Sequence, residues 1–386
     1  MSWFGSASRW LGASSWLLLL SVAATAVSAP AVAADWSLKF GASESLTADD
    51  NLDLTEIDRD AGLISSTSFD LDLLAAGKTS KFGLTPRVSI SKTFFSEEPD
   101  AWSYFPSGTL LLSKWTKLTT YDLVASVSRS EASSNELVDG IFTEDEGDQL
   151  NYAVTGTITH KLNERNTLIW SNAASLVDYT LPSDDLVPAL TATSTATWRH
   201  EITELVSSSL TGSAQYYDPD SATVDGRLVY RATSGINAQL TKRLSVSAAA
   251  GAVVLDPDDD NVTADVIFNV GGDYKLKTTS YTFSAARDLA PSQDGTLNDT
   301  YSARLGLSHE VNDLLTVGLS SSYVLQRDDD EGDSTAITVS PSLNYQLSQD
   351  WTSSLSYRFI QTDDQTETAH SNAVTLSLSY GTFLLP

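Results

Sequence analysis

The chain has no cysteine and a single methionine, its first residue. A zinc ribbon, a disulfide scaffold and a cysteine nucleophile are thereby excluded. Basic residues are scarce: 23 Lys and Arg stand against 50 Asp and Glu in 386 residues, a formal charge of −27. That balance excludes a nucleic-acid partner, whose phosphates must be neutralised by bases. Long apolar runs are missing beyond the N-terminal stretch, and so is any long amphipathic helical pattern. The lack of helical periodicity opposes an α/β enzyme.

The N-terminal stretch reads as an address. Residues 1–34 carry one charged side chain, Arg9, followed by an apolar run from Trp16 and then the small residues Ala29, Ala31, Ala33 and Ala34. This is the charged, apolar and small-residue order of a cleaved signal peptide, and the apolar run is short for a spanning helix. The mature chain is expected to be residues 35–386, without a lipoprotein cysteine.

What remains alternates. Leu343, Tyr345 and Leu347 interleave with Ser342, Asn344 and Gln346, and Val374, Leu376, Leu378 and Tyr380 with Thr375, Ser377 and Ser379. Period two marks strands with one apolar and one polar face.

The connections decide between a soluble sandwich and a barrel. Short, partly basic connections at 78–81, 114–117, 161–165, 200–203, 241–243, 275–277, 310–313 and 347–350 take turns with longer acidic ones. The acidic windows are 48–61, 96–105, 131–148, 181–186, 218–226, 255–262, 287–299, 327–334 and 362–370. They hold 36 of the 50 acids and the three bases Arg59, Arg287 and Arg327. Eight short and nine long connections imply eighteen strands of about ten to fourteen residues. A tilted strand of roughly 9–11 residues already spans a bilayer. The reading is an all-β, antiparallel, up-and-down transmembrane β-barrel with both ends on the short-turn side. Aromatic residues near strand ends, Trp36, Trp115, Tyr179, Trp198, Tyr274 and Trp351 among them, are expected to form interfacial girdles. His160, His200 and His309 recur just before short turns and read as girdle or turn packing.

In architecture the chain resembles the outer-membrane β-barrel porins of Gram-negative bacteria, and more narrowly the β-barrel porin type 2 group. The resemblance rests on the meander, on a first strand from Trp36 to Thr47 running into the polar segment 48–53, and on a terminal strand from Val374 to Tyr380 with Phe383. The terminal strand resembles the signal read by barrel assembly machinery, although the chain ends on Leu385 and Pro386 rather than an aromatic residue.

The polar face of each strand then points inward, where charge is cheapest. The pore-lining set expected from alternation is Lys39, Asp70, Asp72, Arg87, Asp122, Arg227, Arg231, Asp265, Asp273, Arg304 and Arg358. Opposed charges of this kind set a transverse field that selects solutes. The longest loop, 131–148, is the candidate to fold inward. The acidic runs at 256–260 and 328–333 lack the spacing of a calcium loop, so no metal or cofactor is expected. Enzyme activity is not expected either: three histidines lie at the turn end, and His370 stands alone beside the acidic loop 363–367. The function so read is an outer-membrane channel for hydrophilic solutes. Alternatives are an exit barrel for polysaccharide export, as the resemblance implies, and a non-conducting structural or adhesive barrel. Expected partners are outer-membrane lipid and lipopolysaccharide, the assembly machinery, polysaccharide-export proteins in the second reading, and further copies of the chain.

Overall fold

The computed structural model describes residues 35–385, apart from 53, 57–58, 96–100, 132–147, 181–186, 221–225, 257–262, 292–296, 329–331 and 364–367. The expected signal peptide, most of the 131–148 loop and the tips of the other acidic loops lie outside the described residues.

The described residues form eighteen strands. The first six are β1 (Asp35–Asp49), β2 (Gly62–Ala76), β3 (Ser80–Phe95), β4 (Ala101–Trp115), β5 (Thr119–Glu131) and β6 (Asp148–Lys161). Next come β7 (Asn166–Tyr179), β8 (Ala189–Thr203), β9 (Val206–Pro219), β10 (Arg227–Gln239), β11 (Leu244–Asp256) and β12 (Thr263–Lys275). The last are β13 (Thr279–Pro291), β14 (Leu297–Glu310), β15 (Leu315–Asp328), β16 (Gly332–Gln346), β17 (Trp351–Asp363) and β18 (Thr368–Leu385).

Each strand pairs antiparallel with its sequence neighbours, and β1 also pairs with β18, so the sheet closes on itself. Closure removes the free edges that an open sheet would expose. The strands are 13 to 18 residues long, at or above the upper end of the ten to fourteen expected from sequence. The eight turns between them are only two to four residues, as at 204–205 and 116–118, and the pairing starts directly from them. Several sequence boundaries shift accordingly. Residues 200–203 belong to β8, and Arg287 and Arg327 lie in β13 and β15 rather than in loops.

Alternation fixes which face is which. Leu46, Phe69, Leu210, Val266, Leu305 and Leu376 are exposed although apolar, and each stands in the same facing set as the other exposed apolar residues of its strand, the last residues of β18 aside. A belt of such side chains around a closed wall is suited to lipid, because in water each would forgo roughly 1.5–3 kcal/mol of burial. Most of the expected aromatics join this outer face, with Trp351 against Tyr380 at 5.0 Å and Tyr274 against Tyr281 at 6.2 Å. Tyr179 does not: it is buried on the opposite face beside Val177, and Trp115 also falls on that face by register.

The three recurrent histidines sit on the outer face and form one repeated pair. His160 Nδ1 meets Thr119 Oγ1 at 2.8 Å, His309 Nδ1 meets Thr279 Oγ1 at 2.8 Å, and His200 Nδ1 meets Asn166 Oδ1 at 3.0 Å. In each case the two residues are direct cross-strand partners next to a short turn.

Candidate functional site: the inner wall

Hydroxyl groups dominate the face opposite the apolar belt. Thr191, Thr193, Thr195 and Thr197 of β8 are followed on β9 by Ser207, Ser209, Thr211 and Ser213. Neighbouring hydroxyls bond across strands, as between Ser43 and Ser68 (2.7 Å), Ser66 and Ser91 (2.6 Å), and Thr197 and Thr211 (3.0 Å). A hydroxyl both donates and accepts, so such a wall stays satisfied whether it faces water, a solute or itself.

All eleven charged residues expected at the pore lining fall in the inner-face register. Four are brought together on β1–β3. Lys39 is the cross-strand partner of Asp72, and Asp70 of Arg87. Thr85 Oγ1 donates to Asp72 (2.7 Å), and Arg87 Nη2 donates to Ser68 Oγ (3.1 Å). Gly41 leaves room for this group: a Cβ there would overlap the Asp70 carboxylate. Asp122 stands apart and accepts from Ser113 Oγ (2.6 Å). Asp273 lines a recess of about 430 Å³ at the turn end, together with Arg199, Glu201, Asn237 and Gln239. Arg227 and Arg304 are single charges on β10 and β14, without an ion pair among the described residues.

Arg358, Arg231 and Asp265 hold structure in place instead of standing free. Asp49 is buried at the end of β1 and accepts from Ser371 Oγ (2.6 Å), the Asn51 N–H (3.0 Å) and Arg358 Nη2 (3.2 Å). Asn51 is fully buried and donates from Nδ2 to the carbonyls of Thr55 (2.8 Å) and His370 (2.9 Å). These bonds fold the first loop inward over β17 and β18, where Leu54 packs on Ile360 and Ala369 of the inner face. The turn that aims Leu54 needs φ of 53° there, an uncommon value for a leucine. Arg59 meets His370 Nε2 at 3.0 Å, so His370 is not the isolated residue expected from sequence.

A second inward element is the outer end of β13. Arg231 of β10 donates to Gln215 Oε1 (2.6 Å), to Asp288 Oδ1 (3.0 Å) and to the Leu289 carbonyl (2.8 Å). Three strand intervals separate β10 from β13, about 14 Å of wall at ~4.8 Å each. That arc exceeds an arginine side chain, so the β13 backbone leans in to meet it. Leu289 joins Val229, Val253, Leu255 and Ile267 in a small apolar cluster on the inner side.

The sequence reading missed the hydroxyl lattice and both inward elements. One signal was present: Leu52 and Leu54 interrupt an acidic loop that would need no leucine if it were merely solvated.

No protein-family model matches the chain, and no curated protein matches it in sequence. Solved structures do. OpdO of Pseudomonas aeruginosa is 13% identical with a TM-score of 0.53, over 91% of this chain and 98% of that one. The outer membrane protein opdK of the same species is 8% identical with a TM-score of 0.52, over 90% and 99%. OccAB3 of Acinetobacter baumannii is 9% identical with a TM-score of 0.52, over 91% and 100%. The fold is the one these structures share. At these identities the likeness concerns the path of the strands, and no residue role is carried across.

Proposed function

We propose that the chain is a channel of the Gram-negative outer membrane, passing hydrophilic solutes through its hydroxyl-lined lumen. The observation that carries this reading is the contrast between the two faces of one closed wall, apolar outside and rich in Ser, Thr and charge inside. A wall of eighteen strands is wide enough to enclose an aqueous path. The likeness to the outer-membrane barrels supports the location. Lys39, Asp70, Asp72, Arg87, Asp122, Arg227, Asp273 and Arg304 are the proposed charged lining, and their mixed signs set a local transverse field rather than a uniform potential. Arg231, Asp265 and Arg358 are proposed to shape the lumen through the inward elements.

The test is conductance. Refolded protein that runs faster unheated than heated on a detergent gel is added to a planar bilayer. Stepwise conductance is the expected result, with swelling of protein-loaded vesicles in small sugars. A heat-shifting, membrane-inserted barrel that conducts nothing and admits no sugar would instead point to a structural or adhesive role.

A further inference from the structure

The wall is not sealed alike all the way round. The β12–β13 ladder runs from Lys275–Ser280 to Phe268–Arg287 and stops there. Both strands continue beyond that point. β12 stays paired with β11 as far as Thr263, and β13 with β14 as far as Pro291. Only the seam between them opens. The β4–β5 ladder also stops short, at Ser107–Ser128, but Pro106 is the next residue there and has no N–H to offer. No proline stands at the β12–β13 break.

The break is built. Had the ladder continued, Val266 and Leu289 would face each other and pair through their backbones. Each is satisfied by side chains instead. The Val266 N–H is taken by Asp265 Oδ1 (2.7 Å), and its carbonyl by Arg287 Nη1 (2.9 Å). The Leu289 N–H is taken by Asp288 Oδ1 (2.8 Å), and its carbonyl by Arg231 Nη2 (2.8 Å). Two ion pairs thus replace the missing rungs: Arg287 with Asp265 spans the seam from β13 to β12, and Arg231 with Asp288 ties the β13 lip to β10. Asp299 holds Arg287 from the other side at 2.9 Å. Backbone groups in lipid must be satisfied internally, and here rotatable side chains do what a rigid ladder does elsewhere.

Beside these charges the lips carry apolar side chains on both faces. Val266 and Phe268 face out and are exposed, while Ile267 and Leu289 face in, against Val229 and Val253. A path for hydrophilic solutes alone has no use for an aliphatic patch on its inner wall beside an interrupted seam. We propose that the β12–β13 split is a lateral portal, through which a solute with an aliphatic body exchanges between the lumen and the outer leaflet, with Arg287 and Arg231 closing it at rest. The portal is a second route beside the axial one and requires only that the barrel lie in a membrane.

The chain's lack of cysteine makes the test clean. Ile267 and Ile360 are buried to nearly the same degree and both face inward, but Ile360 keeps a ladder partner on each side, Thr338 and Ser371. Ile267→Cys and Ile360→Cys are refolded into vesicles carrying a membrane-partitioned alkyl maleimide, with the heat shift as the check of folding. Ile267→Cys is expected to label several-fold faster, and Arg287→Ala to accelerate it further while leaving Ile360→Cys unchanged. Selective acceleration in Arg287→Ala alone also supports a portal that is closed at rest. Equal labelling of the two cysteines in both backgrounds overturns the proposal. If Arg287→Ala does not fold, the comparison in the otherwise native chain decides by itself. Conductance of the same vesicles is recorded separately, so failure of the axial channel and failure of the portal are told apart.

Discussion

Asp49 and Arg358 are separated by 309 positions in the chain and by 3.2 Å in the barrel. The carboxylate is almost wholly buried, whereas the guanidinium keeps about a third of its surface exposed. The pair ties the first loop to the last two strands across the β1–β18 seam. Removing the arginine leaves a buried charge short of one donor, so Arg358→Ala is expected to cost about 2 kcal/mol. Asp49→Asn, which leaves Ser371 a carbonyl oxygen to bond, is expected to cost less. Urea unfolding in lipid vesicles measures both, and equal midpoints for Arg358→Ala and the parent would remove the clasp from the account.

Leu54 anchors the tip of the same loop. Leu54→Ala is expected to cost about 3 kcal/mol of local packing and to let the loop leave the lumen. Single-channel conductance should rise, and the segment 50–61 should become open to protease. Conductance unchanged in a protease-sensitive variant would mean that the loop does not narrow the path.

Arg304 and Arg231 should behave differently although both carry one inward charge. Arg304 has no ion-pair partner among the described residues, so Arg304→Ser should shift the reversal potential in a salt gradient toward cations and leave stability nearly unchanged. Arg231→Ser frees Asp288 and the Leu289 carbonyl, and should change conductance and its noise as well as selectivity. Indistinguishable variants would show that the Arg231 bonds do not hold β13.

Gly251 sits where no side chain fits: a Cβ would overlap the Ala232 carbonyl oxygen of the neighbouring strand. Gly251→Ala must push β10 and β11 apart, breaking their ladder beside Thr233. Loss of the heat shift, or a fall in its temperature, is the expected outcome. Gly212, with nothing within 4 Å of such a Cβ, is the control that should tolerate alanine.

The outer-face histidine pairs bear on girdle packing rather than conduction. Thr119→Val removes the hydroxyl that meets His160 and should cost at most about 1 kcal/mol, the net worth of one hydrogen bond. Conductance of that variant should match the parent at pH 5 and at pH 7.5.

Much of the architecture was legible because it depends on period and punctuation. Leu343, Tyr345 and Leu347 against Ser342, Asn344 and Gln346 show a strand with two unlike faces, and the eight short turns set the strand number. Boundaries were less legible. Residues 287–299 read as an acidic loop, yet Arg287, Asp288 and Asp299 are strand residues, because the charges there serve a broken seam rather than a solvated connection. Facing was legible too: inward placement of Lys39, Asp70 or Arg304 follows from alternation alone.

The amino-acid sequence by itself determined the meander, the number of strands and which residues share a face, since each follows from a local repeat. Only the tertiary structure decided which inward charges stand free and which are bound. The partners that settle this, Asp49 with Arg358, Arg231 with Asp288, and Val266 with Arg287, belong to different strands. Their meeting depends on the curvature of a closed wall and on where its backbone ladder ends, and no local pattern carries either.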